Sequence, residues 1–234
     1  MKAVILAGGR GSRISFYTHK IPKPMVKIGN KPMLIHIIDI FMYYGIKDIL
    51  IAAGYKSKII KSFFSKNIKY QNVKVVNTGI NSMTGDRIAK LKNYFKKDEN
   101  FLVTYGDGVC NLNINRLIKF HLKHGKIATV TAVRPTVKFG EVNIGKNNSV
   151  DKFIEKPQLD RGWINGGFFV FNKNIFKYLR GNKITLEKKP LIKLSSKNEL
   201  KAFKHPGYWR CMDNLNEKNN LETIFKEYKT IWNF

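Results

Sequence analysis

The chain has 234 residues, 43 Lys and Arg against 16 Asp and Glu, a formal net charge of +27 and a hydrophobic fraction of 43%. That apolar content is ordinary for a globular protein of this length and supplies a sizeable core, either one large domain or two small ones. No apolar run is long enough to span a bilayer, and Cys110 and Cys211 give no disulfide framework, so a reducing, cytoplasmic setting without a membrane partner is expected.

The charge would ordinarily suggest nucleic acid, but the lysines are scattered over every segment rather than gathered in a tail or one helix. They read as a solvated face that helps to steer anionic substrates, not as a nucleic-acid footprint.

In chain order, Lys2–Ala7 reads as a buried strand that runs straight into the glycine turn Gly8-Gly9-Arg10-Gly11-Ser12-Arg13. Glycines let backbone N–H groups approach phosphate oxygens, and the two arginines neutralise them. The turn lacks the Lys-Ser or Lys-Thr of a P-loop. It is not the dinucleotide fingerprint either, because the third glycine position falls on Ile14 and no acidic residue closes the second strand. Pro22-Lys23-Pro24 then holds a lysine out of the helical region as a pre-positioned cation suited to charge on a phosphoryl group.

A helix is expected from Pro32 to Gly45, a strand over Asp48–Ala53, a helix over Lys56–Ser65 and a strand over Val73–Val76. Ser82-Met83-Thr84-Gly85-Asp86-Arg87 opens a helix reaching Phe95, a place where hydroxyls and free N–H groups suit an anion or a base edge, with capping by Ser82 or Thr84 as the plain alternative. The strand Phe101–Tyr105 ends in Gly106-Asp107-Gly108, where an aspartate between glycines faces a metal or phosphates without obstruction.

After the helix Asn113–Lys123 the texture becomes strand-rich: Ile127–Val133, Glu141–Ile144, Val150–Ile154 and Ile164–Phe171. Helices at Lys173–Leu179 and Leu186–Leu194, strands at Leu200–Phe203 and Tyr208–Met212, and a helix from Leu215 to Tyr228 complete the chain. Glu155-Lys156-Pro157 offers a sugar-hydroxyl acceptor and a phosphate partner, and Asn165-Gly166-Gly167 an amide for a sugar. Asp213 follows a short strand and is either a second metal carboxylate or the cap of the last helix. His121 and His124 read as surface residues; His19 and His36, near the glycine turn, are candidates to line the pocket.

The alternation in the first half implies a parallel sheet, and the later strands make it mixed. The chain reads as one continuous Rossmann-like α/β domain, three-layer αβα with a mixed, mainly parallel central sheet. Its nucleotide-binding half is about 1–110 and its sugar-phosphate half about 111–234.

Gly8–Arg13, Pro22–Met25, Ser82–Arg87, Thr104–Gly108, Glu155–Pro157, Ile164–Phe169, Pro206–Trp209 and Met212-Asp213, in that order, resemble the sugar-phosphate nucleotidyltransferases and, more narrowly, the glucose-1-phosphate cytidylyltransferases. The resemblance covers nearly the whole chain. It implies a nucleotide-diphospho-sugar transferase fold that turns CTP and a sugar 1-phosphate into a CDP-sugar and pyrophosphate for surface polysaccharide precursors, with Mg²⁺ as cofactor.

It further implies nucleotide contacts at Leu6, Ala7, Gly8, Gly9, Arg10, Gly11, Ser12, Lys23, Ser82, Arg87 and Gly106, and catalytic roles for Arg13, Lys23 and Asp107. Metal binding falls to Asp107 and Asp213, and sugar-phosphate contacts to Glu155, Lys156, Asn165 and Gly166. A homo-oligomer is compatible with it.

Three departures stand out. Ser12 replaces a threonine and keeps the hydroxyl. Asp86 replaces a glycine, which either weakens nucleotide binding or favours the helix N-terminus. The segment Phe64–Asn77 is short for the family. A sister transferase using another nucleoside triphosphate or acceptor is the alternative. A non-catalytic basic binding protein on the same fold would be expected to lose Lys23, Asp107 or Asp213, and all three are present.

Overall fold

The computed structural model describes residues 1–134, 141–154 and 162–227. Four parallel strands carry the first half: β1 (Ala3–Ala7), β2 (Ile49–Ala53), β3 (Val73–Asn77) and β4 (Asn100–Tyr105). β1 lies between β2 and β4, and β3 lies outside β2. The chain from Gly108 onward contributes β5 (Gly108–Cys110), β6 (Ala128–Val133), β7 (Glu141–Ile144), β8 (Val150–Ile154), β9 (Ile164–Asn165), β10 (Phe169–Asn172), β11 (Leu200–His205) and β12 (Trp209–Cys211).

The main sheet runs β3-β2-β1-β4-β10-β6-β11, with β9 beside the far end of β6. β10 is antiparallel to both of its neighbours, whereas β11 runs parallel to β6. The sheet is therefore mixed and mainly parallel, as the strand pattern implied. β5 pairs with β12, and β7 with β8, in separate two-stranded ladders.

Alternation along β1 explains the three layers. Ala3, Ile5 and Ala7 enter one core, Val4 and Leu6 the other. Because both faces are covered, β1 reads as an unbroken apolar run instead of an alternating one. The first face is covered by the helices α1 (Met33–Tyr43), α2 (Ser57–Ser65), α4 (Ile114–His124) and α6 (Leu215–Glu227). The second is covered by α3 (Thr84–Lys90), α5 (Lys189–Ser196) and two 3₁₀ turns, Lys92–Phe95 and Lys173–Lys177.

Several sequence expectations are corrected. The helix expected to reach Phe95 stops at Lys90 and tightens into the 3₁₀ turn, which stacks Phe95 on Phe101 at 4.2 Å. The expected helix over Lys173–Leu179 is likewise a 3₁₀ turn. α5 starts at Lys189 rather than Leu186, because Pro190 has no N–H to give the Leu186 carbonyl, which accepts the Leu191 N–H instead.

The strand Ile164–Phe171 is broken between β9 and β10. Gly167 and Phe168 adopt positive φ there (74° and 48°), and the Phe168 carbonyl accepts the Thr131 hydroxyl at 2.7 Å. His121 is buried, not exposed. Its Nε2 meets Asn100 Oδ1 at 3.1 Å and its Nδ1 the Thr129 hydroxyl at 2.8 Å, while His124 Nε2 meets the same hydroxyl at 2.7 Å. Burial holds the His121 pKa down at about 4, with His124 adding to the effect, and burial lowers that of His124 too.

Candidate active site

A cleft of about 620 Å³ opens at the carboxyl ends of β1 and β4, the place where an open α/β sheet accepts ligands. Leu6, Ala7, Gly8, Gly9, Gly11 and Ser12 form one wall, and Gly106 and Asp107 the floor beside it. Glycine is required at Gly8, because a Cβ there would run into the Arg87 guanidinium. It is required at Gly11, where φ is +65° and a Cβ would meet the Lys23 and Thr18 side chains.

Lys23 follows the extended Pro22 and opens a 3₁₀ turn that carries its side chain inward. Its Nζ donates to Asp107 Oδ2 at 2.6 Å and to Asp213 Oδ1 at 3.4 Å. Arg13 Nη1 pairs with the other oxygen of Asp213. The two carboxylates, far apart in sequence, meet because β12 lies against β5 and the Met212 N–H donates to the Asp107 carbonyl at 2.7 Å. Asp213 does not cap α6. Asn214 does so, its Oδ1 accepting from the Glu217 N–H at 2.9 Å, which leaves Asp213 to face the cleft.

The Arg87 side chain is buried and spends its donors on the protein. Nη2 donates to the Gly8 carbonyl at 2.9 Å; Nη1 donates to Gly79 O at 2.8 Å, Thr78 Oγ1 at 2.7 Å and Ala53 O at 3.3 Å. It thus ties the glycine turn to the ends of β2 and β3. Burial lowers its pKa, partly offset by Asp86.

Ser82 lines the cleft, but its hydroxyl donates to the Thr78 carbonyl and accepts from Lys90 Nζ. Asp86 accepts from the Met83 N–H and from the Ile184 N–H, each at 2.9 Å. Its carboxylate therefore serves the N-terminus of α3, the second of the two outcomes left open by sequence.

On the opposite wall, Asn165 and Gly166 line the cleft beside Trp209, whose indole N–H donates to the Gly166 carbonyl at 2.8 Å. Arg10 lies over the Tyr55 ring, 5.9 Å from its centroid, instead of against the cleft. His36 is a buried residue of α1, its Nε2 donating to the Ile28 carbonyl, and His19 bonds the Ser15 carbonyl; neither lines the cleft. Glu155 and Lys156 lie outside the described residues.

Sequence reading passed over Glu187, which joins Thr84 to Tyr105. The available signal was that it is the sole acidic residue between Asp160 and Glu199.

Burial, then the Asp107 and Asp213 charges, push the Cys211 thiol up to about 11, so it is no thiolate nucleophile at neutral pH. The cleft is built to bind and align anions next to two carboxylates. Among the described residues no group of three or more His, Cys, Asp and Glu side chains is placed to hold a metal ion. A pair of hard oxygen donors with open space beside them suits a divalent cation that completes its shell on phosphates.

The nucleotidyl transferase family profile matches residues 2–212. Glucose-1-phosphate cytidylyltransferase from Salmonella typhimurium is 43% identical over 99% of this chain and 98% of its own length. Mannose-1-phosphate guanyltransferase from Hypocrea jecorina is 31% identical over 89% of this chain and 60% of its own length. Among solved structures, HddC from Yersinia pseudotuberculosis complexed with GMP-PN superposes with a TM-score of 0.75 at 26% identity, covering 96% of this chain and 99% of that one.

Proposed function

This chain belongs to the nucleotidyl transferase family, and on that footing we propose that it transfers a cytidylyl group from CTP to a sugar 1-phosphate, glucose 1-phosphate first among them. The observation that carries the reading is the meeting of Lys23, Arg13, Asp107 and Asp213 at the mouth of a glycine-walled cleft.

The sugar phosphate oxygen attacks the α-phosphorus of CTP in line. One P–O bond forms, the bond from the α-phosphorus to the bridging oxygen breaks, and pyrophosphate leaves with that oxygen. No general base is needed, because a phosphate monoester with a second pKa of about 6 is already mostly dianionic at neutral pH. The protein's task is positioning and charge stabilisation.

Backbone N–H groups of the Gly8–Gly11 turn would cradle the triphosphate. Lys23 and Arg13 would turn from the aspartates to the phosphates and stabilise the charge that develops on the bridging oxygen. Arg87 holds the turn in shape from behind. Asn165 and Gly166, with Glu155 and Lys156, would take the sugar 1-phosphate.

Asp107 and Asp213 would hold the divalent metal of the family, which we read as Mg²⁺. When bound, it supplies Lewis-acid charge neutralisation on the phosphates.

We read the chain as a single domain, which one sheet with strands from both halves supports. Among the described residues no helix is long and apolar enough to cross a membrane. A cytoplasmic location, where CTP and sugar phosphates are found, suits the reaction.

The test is pyrophosphate release from the purified protein with Mg²⁺, each common nucleoside triphosphate in turn and a panel of sugar 1-phosphates. CTP with glucose 1-phosphate is expected to be the best pair. No release with CTP and any sugar 1-phosphate would overturn the proposal.

A further inference from the structure

Glu187 stands apart from the glycine turn and from the lysine–aspartate cluster, yet both of its oxygens are committed at the cleft. Oε2 accepts from the Thr84 hydroxyl at 2.7 Å and Oε1 from the Tyr105 hydroxyl at 2.5 Å. A carboxylate only accepts, so the single phenolic proton of Tyr105 must point at Glu187. The phenol oxygen is then free only to accept. Asn165 Nδ2 lies 3.3 Å from it and donates to it.

The other end of the same amide agrees, since Asn165 Oδ1 accepts the Gly167 N–H at 2.9 Å. With both ends assigned, one Nδ2 proton remains on a side chain that lines the cleft.

We propose that Glu187 is a positioning residue for the transfer reaction: through Tyr105 it fixes the hydrogen-bond polarity of Asn165, so that this amide meets the sugar 1-phosphate as a donor. The inference rests on the cytidylyl-transfer reading above. Glu187 is itself anchored to α3. The Leu186 N–H donates to Thr84 Oγ1 at 2.9 Å, and the Ile184 carbonyl accepts from Gly85 and Asp86. Replacing Glu187 by Gln turns one acceptor into a donor, so Tyr105 and Thr84 can no longer both donate to this side chain, and the direction of the Tyr105 proton is no longer fixed.

The test is steady-state kinetics of the full chain with Glu187→Gln, Tyr105→Phe and the double variant. Loss of one oriented hydrogen bond is expected to raise KM for glucose 1-phosphate about ten-fold while KM for CTP stays within about two-fold. The double variant should be no worse than the worse single one, because the two residues act as one wire. Equal rises in both KM values together with a lowered Tm would mark a merely structural role and overturn the proposal, as would an unchanged KM for glucose 1-phosphate.

Should Glu187→Gln fail to fold, Tyr105→Phe, which removes only the hydroxyl, reads the same wire. Should the wild-type protein show no turnover, the functional reading falls. The wire is then read from calorimetric dissociation constants for glucose 1-phosphate and CTP, where the same split supports it and no split overturns it.

Discussion

Lys23 reaches across the mouth of the cleft to Asp107, with Nζ 2.6 Å from Oδ2 and the side chain only 12% exposed. The same ammonium also approaches Asp213, so it occupies the oxygens that a divalent cation would use. On the proposed reading, cation and lysine would compete for the same carboxylates until phosphates drew the lysine away.

Lys23→Ala is expected to lower turnover on the order of 10²–10³-fold, the usual cost of deleting one preorganised charge-stabilising group. Mn²⁺ binding without nucleotide should tighten in the same variant, because Asp107 and Asp213 lose their resident cation. Turnover assays and Mn²⁺ titration by electron paramagnetic resonance check the two halves separately. Full activity, or unchanged Mn²⁺ affinity, would refute the competition.

Asp107→Asn removes charge but little volume. Pyrophosphate release should then require a much higher metal concentration and fall steeply at saturation, while thermal unfolding changes little at this partly exposed side chain. Chelation of the wild-type enzyme with EDTA should stop turnover, and added Mg²⁺ should restore it.

Arg87→Lys keeps the charge yet cannot span Gly8, Gly79, Thr78 and Ala53 at once. The glycine turn should loosen, with a loss of about 2–3 kcal/mol in stability, as expected for hydrogen bonds from a buried charged group. KM for CTP should rise more than KM for the sugar phosphate. Urea unfolding and initial-rate kinetics measure both, and a variant unaltered in either would remove the bracing role.

His121 makes stability depend on acidity. An unfolded imidazole titrates near 6.5, whereas the buried ring stays neutral down to about 4. Its contribution is whole above about pH 6.5, shrinks as pH falls across that window and is gone below the folded value; at one pKa unit per 1.4 kcal/mol it amounts to about 3 kcal/mol. Denaturant melts of wild type and His121→Gln between pH 7.5 and 4.5 should converge towards low pH. Parallel curves would show that His121 is not the group responsible.

Asp86→Gly should cost about 1 kcal/mol by uncapping α3 and releasing Ile184, with KM for CTP unchanged. A marked gain in CTP affinity would instead show that the carboxylate repels the nucleotide.

The parts of this molecule legible in sequence are those where one local pattern decides the outcome. β1 and β2 are covered on both faces and read as apolar runs. The turn at Gly8–Arg13 and the lysine between two prolines carry their chemistry in adjacent residues.

What escaped depends on contacts distant in sequence. The break at Gly167-Phe168 goes with a Thr131 hydroxyl that no window around the strand contains. His121 is spaced like a surface residue on α4 and is buried by Thr129 and Asn100. Glu187 has no motif; its meaning comes only from Thr84 and Tyr105, 103 and 82 residues away. Arg87 stands out in its motif, but its hydrogen bonds to Gly8, Gly79, Thr78 and Ala53 are not written there.

The union of Asp107 with Asp213 through the Met212 N–H has a consequence for biogenesis. The partners of Lys23 are 84 and 190 residues distant along the chain, and Arg13 is 200 residues from Asp213. During synthesis the glycine turn, β1 and the first aspartate emerge early, whereas the second carboxylate follows only after β12. A growing polypeptide thus carries the glycine turn and Lys23 long before Asp213 can join Asp107, so the four-residue ion cluster closes only after β12 has paired with β5.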